Sequence, residues 1–262
     1  MMLLVDIGNS RVKWARLGPD GLGQQSASSY AGWTEVDWRA ALFAGGRVER
    51  VLAASVARPA AAAALDAAAS RATGRPAQFV ATTRAAAGVL NGYANPGLLG
   101  VDRWLAVIGS YARVGGACVV ADIGTAATID VVSGDGRHQG GYIVPGQRLM
   151  VTALLGSTGD LAAHHAASGT AGTHAGFADN TREAIERGCR LSLAALVDRS
   201  LSEAELSLGE RCRLLLTGGG AAEVLPELRR AAEHVPDLVL RGLAELARAP
   251  VPTAVVDPDS KV

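Results

Sequence analysis

Cysteine is scarce in this sequence. Its 262 residues include three cysteines, Cys118, Cys189 and Cys212, which lie far apart and form no Cys-x-x-Cys pair. An odd number of separated cysteines indicates neither a disulfide framework nor a zinc site. The five histidines likewise show no spacing typical of a metal site. This composition favours a reducing compartment, and we expect a cytoplasmic protein.

An excess of either charge is also absent. The 25 basic and 25 acidic side chains give a formal net charge of zero, and no polybasic run occurs. Neither a nucleic acid nor an anionic membrane surface is therefore an expected partner. No apolar stretch is long enough to span a bilayer, and Asp6 and Asn9 interrupt the first apolar run too early for a signal peptide.

Two common nucleotide-binding motifs are missing as well. The sequence has no Gly-x-x-x-x-Gly-Lys-Ser/Thr, which excludes a P-loop. No Gly-x-Gly-x-x-Gly opens a helix, so a dinucleotide-binding fold loses its main support.

Apolar runs of strand length alternate with helical patterns, which indicates an α/β fold. We predict strands over residues 1–7, 12–17, 51–56, 117–123, 129–133, 141–145, 213–217 and 238–240. We predict helices over residues 60–72, 103–111, 181–201 and 225–233, and a loop rich in Gly, Ser, Thr and His over residues 156–179.

One short motif occurs twice. Residues 4–10, Leu-Val-Asp-Ile-Gly-Asn-Ser, are echoed by residues 120–126, Val-Ala-Asp-Ile-Gly-Thr-Ala. In each copy an apolar strand leads into Asp-Ile-Gly and a small polar residue, and a second apolar strand follows. The repeat spans about half of the chain, so we predict two related lobes, residues 1–116 and 117–262.

Two such turns suit a polyphosphate with Mg²⁺. A strand that ends in Asp fixes one carboxylate near the cleft, and the Gly lets the backbone approach an oxyanion closely. The N–H groups that follow, with the Asn9 and Thr125 side chains, can donate to phosphate oxygens. Two facing turns could therefore clamp a polyphosphate, with Mg²⁺ and its waters between them. A single copy would fit a plain β-turn with a solvated Asp equally well.

The residues around position 102 have two interpretations. Asp102 is either a base that accepts a proton from an acceptor hydroxyl, or an Asp that stabilises a helix start and pairs with Arg103. Arg103 offers paired donors that match a carboxylate, but a surface ion pair would also explain it. Thr181 fits both a helix start and a ligand contact, and the two roles are compatible.

Three further features have the same ambiguity. Lys13 is either a point charge for a phosphate or a solvated side chain on an edge strand. Asp130 either ends a strand or assists a metal site. The glycines at 218–220 form either a plain strand-to-helix turn or a close backbone approach to an adenosine.

Together, these motifs resemble those of the type III pantothenate kinases, within the actin/hexokinase/Hsp70-like superfamily. The carrying segments are residues 6–14, 95–103, 122–130 and 140–146, with Asn180, Thr181 and Gly188. The resemblance implies a two-lobed actin-like ATPase (ribonuclease H-like) fold, in which duplicated mixed sheets are flanked by helices. It implies ATP-dependent phosphorylation of pantothenate, the first step of coenzyme A biosynthesis, by a homodimer whose acceptor site lies close to the dimer interface.

The resemblance also implies roles for individual residues. Asp102 would be the catalytic base, Asp122 would help to hold a monovalent cation, K⁺ or NH₄⁺, and Asp6 would meet Mg²⁺ through ATP. The residues implied to bind pantothenate are Tyr93, Gly100, Val101, Asp102, Arg103 and Thr181. The residues implied to bind ATP are Asp6, Ile7, Gly8, Asn9, Ser10, Arg11, Val12, Lys13 and Thr125.

Two alternative functions stay open at this point. Another small-alcohol kinase of the superfamily would share the repeat, but residues 95–103 and 140–146 favour pantothenate. A nucleotide-binding regulatory or accessory protein that had lost transfer activity would be expected to lack one of the carboxylates. Asp6, Asp102 and Asp122 are all present.

Overall fold

The structure is a computed structural model that describes residues 1–157, 161, 165 and 176–248. The loop predicted over residues 156–179 lies mostly outside this range, as does most of the Gly- and His-rich segment 158–174. Within the described residues, no helix combines the length and the apolar character that a membrane crossing requires.

The first sheet is mixed, with strand order β3-β2-β1-β5-β6 and β4 paired to β2. Helices α1 (Glu35–Phe43) and α2 (Pro59–Thr73) cover one of its faces, where Trp38 and Leu65 pack against alternate residues of the first strand. The strands are β1 (Met2–Ile7), β2 (Arg11–Gly18), β3 (Gly21–Leu22), β4 (Ser26–Ser29), β5 (Arg50–Ser55) and β6 (Gln78–Phe79).

A connecting segment and a central helix follow. Residues 80–100 contain the hairpin β7 (Ala85–Ala86) and β8 (Val89–Leu90) and a 3₁₀ helix, Pro96–Leu98. Helix α3 (Val101–Val114) begins with Asp102 in its first turn, which is favourable at a helix N-terminus, and ends at Gly115 in the left-handed conformation.

The second sheet repeats the plan of the first. Its order is β11-β10-β9-β12-β13, and helices α4 (Gln147–Ser157), α5 (Thr181–Leu208), α6 (Ala221–Val224) and α7 (Leu238–Arg248) accompany it. In each sheet, a central strand pairs antiparallel with the next strand and parallel with a later one. This repetition confirms the predicted duplicated mixed sheets with flanking helices. The strands are β9 (Cys118–Ile123), β10 (Ala126–Val132), β11 (His138–Pro145), β12 (Arg213–Thr217) and β13 (Glu233–His234).

Helices α3 and α7 form the layer between the two sheets. Leu4 of β1 and Val120 of β9 pack into this layer, whereas their neighbours Val5 and Ala121 pack against the outer helices. Successive side chains of a strand point to opposite faces, so the residues two positions after Leu4 and Val120 also face inward.

Several elements differ from the sequence predictions. Residues 238–240 begin helix α7 rather than forming a strand, and residues 225–233 contain a short 3₁₀ helix and part of β13 rather than an α-helix. Helices α1 and α4 were not predicted. Helix α7 contacts β1 as well as α3, and the division into residues 1–116 and 117–262 stays a prediction.

Two glycines let α3 and α7 pack backbone against backbone. A Cβ atom on Gly109 would lie 2.5 Å from the carbonyl oxygen of Leu238. One on Gly242 would overlap the carbonyl oxygen of Leu105. The central layer therefore depends on the missing side chains at these two crossing points.

We expect Gly242→Ala to lower the free energy of unfolding by about 3 kcal/mol, because the added methyl group forces the two helices apart. Urea denaturation followed by circular dichroism measures this change. Gly116→Ala is the control, since no atom lies within 4 Å of its added Cβ, and its effect should stay within about 0.5 kcal/mol. Equal effects of the two substitutions would contradict the packing argument.

Candidate functional site

Asp6 and Asp122 end two equivalent strands, β1 and β9, on their inward faces. Asp6 is buried, at 6% exposure. Burial raises the pKa of Asp6 to about 7, Lys13 lowers it, and the charges of Asp122 and Asp102 raise it further. The three carboxylates therefore lie close enough to repel one another.

Lys13 counteracts this repulsion at both strand ends. It lies opposite Asp6 in the register of β1 and β2, in the interior of the sheet rather than on an edge strand. Burial raises the pKa of Asp122, the charge of Lys13 lowers it, and the charges of Asp102 and Asp130 raise it. A site with several acidic groups and one lysine suits a cation bound together with phosphate groups.

Tyr30, which belongs to no sequence motif, supports the backbone of the first Asp-Ile-Gly turn. The Tyr30 hydroxyl donates to the carbonyl oxygen of Gly8 at 2.7 Å and lies 3.2 Å from that of Asn9. In a trans peptide the N–H points away from the preceding carbonyl oxygen. Because Tyr30 fixes these carbonyl groups, the N–H groups of Asn9 and Ser10 are held in the opposite direction.

The second turn is supported in a similar way. Gly124 donates to the carbonyl oxygen of Ala126 at 3.0 Å, and Gly146 donates to that of Thr125 at 2.9 Å. A Cβ atom on Gly146 would overlap the carbonyl oxygen of Gly124. Thr125 itself is exposed and therefore accessible to a ligand.

The glycines at 218–220 pack on the end of β9. Gly218 has a positive φ of 92°, and a Cβ there would overlap Asp122 Oδ1. Gly220 donates to the carbonyl oxygen of Ile123 at 2.9 Å. The turn leads into α6 rather than directly into the helix predicted over residues 225–233, and it leaves backbone rather than side chains beside Asp122.

Asp102 lies in the first turn of α3, where the N-cap residue is Gly100. Its Oδ1 accepts a hydrogen bond from the backbone N–H of Arg103 at 2.8 Å. A Cβ on Gly100 would lie 2.8 Å from the same oxygen, so the glycine leaves space for the carboxylate. Val101, the first residue of the helix, is half-buried.

Arg103 does not form a surface ion pair. Its Nε and Nη2 donate to the two carboxylate oxygens of Asp130 at 2.9 and 2.6 Å, and its Nη1 donates to the Tyr93 hydroxyl at 2.8 Å. Burial lowers the pKa of Arg103, but the hydrogen bonds and charge of Asp130 raise it overall. Asp130 is buried inside β10, so the proposal that it ends a strand was wrong.

His138 completes this buried group. Its Nε2 lies 2.8 Å from Asp130 Oδ1, and its ring stacks on Tyr93 with centroids 5.9 Å apart. His138 was not predicted as a site residue, because no short motif connects it to Arg103 or Tyr93. Its isolated position on β11 carries no metal-like spacing that could have signalled a role.

The loop that carries Tyr93 is fixed at its backbone. Arg84 donates to the carbonyl oxygens of Tyr93 and Ala94 at 2.8 and 2.7 Å. The buried Asn91 accepts from the Tyr93 N–H at 2.9 Å. Tyr93 therefore projects from a well-supported loop toward the Arg103 guanidinium.

Thr181, another predicted acceptor contact, forms no hydrogen bond with this group within the described part of the chain. It opens α5, after the N-cap residue Asn180. Helix α5 packs on the outer face of the second sheet, whereas Asp102 and Arg103 begin the helix on its inner face.

A family model described as "Type III pantothenate kinase" matches residues 2–203 of this chain. The chain belongs to the type III pantothenate kinase family. Among its relatives, the type III pantothenate kinase of Halorhodospira halophila is 41% identical over 257 residues, covering 95% of this chain and 98% of the relative. That of Alkalilimnicola ehrlichii is 40% identical over 254 residues, covering 94% and 97%.

Solved structures support the fold of this type III pantothenate kinase. A ROK family glucokinase from Streptomyces griseus, in complex with glucose and AMPPNP, matches with a TM-score of 0.51 and 15% identity, covering 95% of this chain and 99% of that one. An activator of 2-hydroxyisocaproyl-CoA dehydratase from Clostridium difficile, with bound ADPNP, matches with a TM-score of 0.52 and 12% identity, covering 93% and 92%. At these identities the likeness concerns the fold alone.

The raised pKa of Asp6 predicts how the stability of the ligand-free kinase varies with pH. Because the folded-state pKa of about 7 exceeds the usual value of 3.8, the folded state retains a proton that the unfolded state loses. Stability from this group is therefore lost as pH rises from about 4 to about 7. We expect the free energy of unfolding of Asp6→Asn, relative to that of wild type, to increase by about 3 kcal/mol between pH 5 and pH 8.

Urea denaturation without nucleotide, at several pH values, measures this difference. The matched control is Asp20→Asn on an exposed turn, whose effect should vary by no more than about 0.5 kcal/mol over the same range. A difference between Asp6→Asn and wild type that did not change with pH would contradict the prediction.

Proposed function

We propose that this chain transfers the γ-phosphoryl group of ATP to the terminal hydroxyl of pantothenate, the first step of coenzyme A biosynthesis. The observation that carries the proposal is the convergence of Asp6, Asp102 and Asp122 with Lys13 on the inner faces of the duplicated sheets. It is joined by membership of a family whose relatives bear the name of this activity.

The two Asp-Ile-Gly turns are the proposed ATP-binding elements. Residues 6–13 bind the phosphates through the backbone N–H groups that Tyr30 orients and through the Lys13 ammonium group. Thr125 contacts the nucleotide from the second turn. The glycines at 218–220 leave room for the adenosine beside β9.

Asp102 is the proposed catalytic base. The acceptor oxygen forms a bond to the γ-phosphorus, the bond from that phosphorus to the ADP oxygen breaks, and the hydroxyl proton passes to Asp102. The carboxylate is already oriented, since the Arg103 N–H holds one oxygen and Gly100 leaves the space beside it open. Arg103 and Tyr93 bind the acceptor, with Gly100, Val101 and Thr181 as further contacts.

The residues at the strand ends fit the cations that such a reaction uses. Asp6 and Asp122 suit a Mg²⁺ ion that keeps its water and phosphate ligands, and the ion would neutralise charge on the phosphates. Thr217, the register partner of Asp122, has a buried hydroxyl oxygen that finds no hydrogen-bond partner in the part of the chain that the structure describes. This oxygen and the Asp122 carboxylate together fit a monovalent cation, K⁺ or NH₄⁺.

We also propose that the enzyme is a homodimer. Strand β11 lies at the edge of the second sheet, and its Tyr142 and Ile143 are 49% and 61% exposed. Helix α4, which follows it, buries none of its side chains and exposes Leu149 and Leu154. An open edge strand beside exposed apolar side chains is typical of an interface. A cytoplasmic location and the absence of a nucleic-acid or membrane partner stay predictions.

The decisive experiment is an ADP-release assay with Mg-ATP and pantothenate, with and without K⁺ or NH₄⁺. We expect pantothenate-dependent release that Asp102→Asn lowers at least about a hundredfold in kcat, because the proton acceptor is lost while the side-chain shape is kept. Asp20→Asn, at an exposed carboxylate on the turn between β2 and β3, should behave as wild type. No release above the pantothenate-free control in any cation condition would refute the proposed substrate.

The dimer is tested by light scattering after size-exclusion chromatography. We expect wild type to have twice the chain mass of 26.7 kDa, and Ile143→Asp to have the mass of one chain, because a charge at an apolar interface is costly to bury. Val36→Asp, at an equally exposed apolar residue on α1, is the control and should remain dimeric. A single-chain mass for wild type would contradict the proposal.

A further inference from the structure

His138 contacts both groups that hold the Arg103 guanidinium. It bonds through Nε2 to Asp130, which accepts from Arg103 Nε and Nη2, and it stacks on Tyr93, which accepts from Arg103 Nη1. The His138 side chain is fully buried, and those of Arg103 and Asp130 are 6% and 2% exposed. A substitution of His138 would therefore disturb Asp130 and Tyr93, the two residues that position Arg103, at the same time.

The hydrogen bonds indicate the protonation state of His138. Its Nδ1 is buried and has no hydrogen-bond partner among the described residues. A neutral ring with its proton on Nε2 donates to Asp130 and leaves only a lone pair unsatisfied on Nδ1. A charged ring would bury an unpaired N–H and a second positive charge, which costs more. In the neutral form, His138 donates a hydrogen bond to Asp130.

The same geometry determines which donors remain for a ligand. Asp130 and Tyr93 occupy three of the five N–H groups of Arg103, which leaves one on Nη1 and one on Nη2. The Tyr93 hydroxyl accepts from Arg103, so its own proton can be donated elsewhere. The two remaining N–H groups of Arg103 and the Tyr93 hydroxyl can converge on one acceptor group only if Asp130 and Tyr93 keep their positions.

Glycines make the close packing around His138 possible. Gly141 pairs with Asp130 across β10 and β11, and a Cβ there would lie 2.8 Å from Asp130 Oδ1. Gly92, in the loop before Tyr93, would overlap the carbonyl oxygen of His138 if it carried a Cβ. The Asp130 carboxylate and the loop that carries Tyr93 therefore pack directly against β11, the strand that contains His138.

We propose that His138 is a positioning residue for the acceptor substrate, which holds Asp130 and Tyr93 so that Arg103 and the Tyr93 hydroxyl bind the carboxylate or amide oxygens of the acceptor. This inference rests on the proposed function. Buried ion pairs add little net stability compared with apolar packing, so the value of this group lies in orientation. His138 itself does not touch the substrate.

The experiment compares His138→Phe with His138→Gln in the ADP-release assay. Phe keeps the ring on Tyr93 but removes the donor to Asp130, whereas Gln restores an N–H near the position of Nε2. We expect His138→Phe to raise KM for pantothenate about tenfold and to leave KM for ATP within about twofold of wild type. His138→Gln should recover most of the loss.

Tyr30→Phe is the matched control, because it removes one hydroxyl from the support of the ATP turn. It should raise KM for ATP and leave KM for pantothenate unchanged. An unchanged KM for pantothenate in His138→Phe, or equal changes for both substrates, would overturn the inference while the proposed function stood. Absence of pantothenate-dependent release by the wild-type enzyme would instead overturn the proposed function and the inference with it.

A measurement on the wild-type enzyme covers the case in which His138→Phe does not fold. The ring nitrogen signals of His138 in ¹H–¹⁵N NMR spectra should report the neutral form with its proton on Nε2. We expect these signals to shift when pantothenate is added and to remain in place when Mg-ATP alone is added. Signals that pantothenate leaves unchanged would refute the positioning role.

Discussion

Three mutually repelling carboxylates at one end of the central layer impose the main constraint on this molecule. Alternation along β1 and β9 turns Asp6 and Asp122 inward, and the first turn of α3 brings Asp102 near them. Burial and repulsion outweigh the attraction of Lys13 at Asp6, whose pKa is raised to about 7. The apolar layers on both sides of the sheets must offset this cost.

The surrounding structure provides rigid support on both sides of this charge cluster. In each Asp-Ile-Gly turn a carbonyl group accepts a hydrogen bond that fixes it, from Tyr30 in the first turn and from Gly146 in the second. Under the proposed function, the acceptor side relies on a buried ion pair instead, in which Asp130 aligns Arg103. Backbone donors suit phosphate oxygens, and a guanidinium suits a carboxylate, so the two proposed substrates would meet two chemically different surfaces.

The sequence predicted those features of the fold that depend on short-range residue patterns. The two Asp-Ile-Gly copies were correctly placed at the ends of equivalent strands, because an apolar run followed by Gly marks a strand end. Residues 238–240 were predicted as a strand, because a short apolar run does not distinguish a strand from a buried helix. Tyr30 and His138 escaped prediction for another reason: Tyr30 lies 22 residues from Gly8, and His138, although only 8 residues from Asp130, belongs to no short motif that marks their contact. Such contacts follow from tertiary packing alone.

The two halves of the fold differ in what precedes the central helices. Residues 235–237 join β13 to α7, whereas the longer segment 80–100, with Tyr93 in it, joins β6 to α3. Under the proposed function, recognition of the alcohol depends heavily on this insertion, while the duplicated framework handles the nucleotide. A gene duplication could thus supply a general phosphate donor site, and later divergence of one connecting segment could change the metabolite without disturbing it.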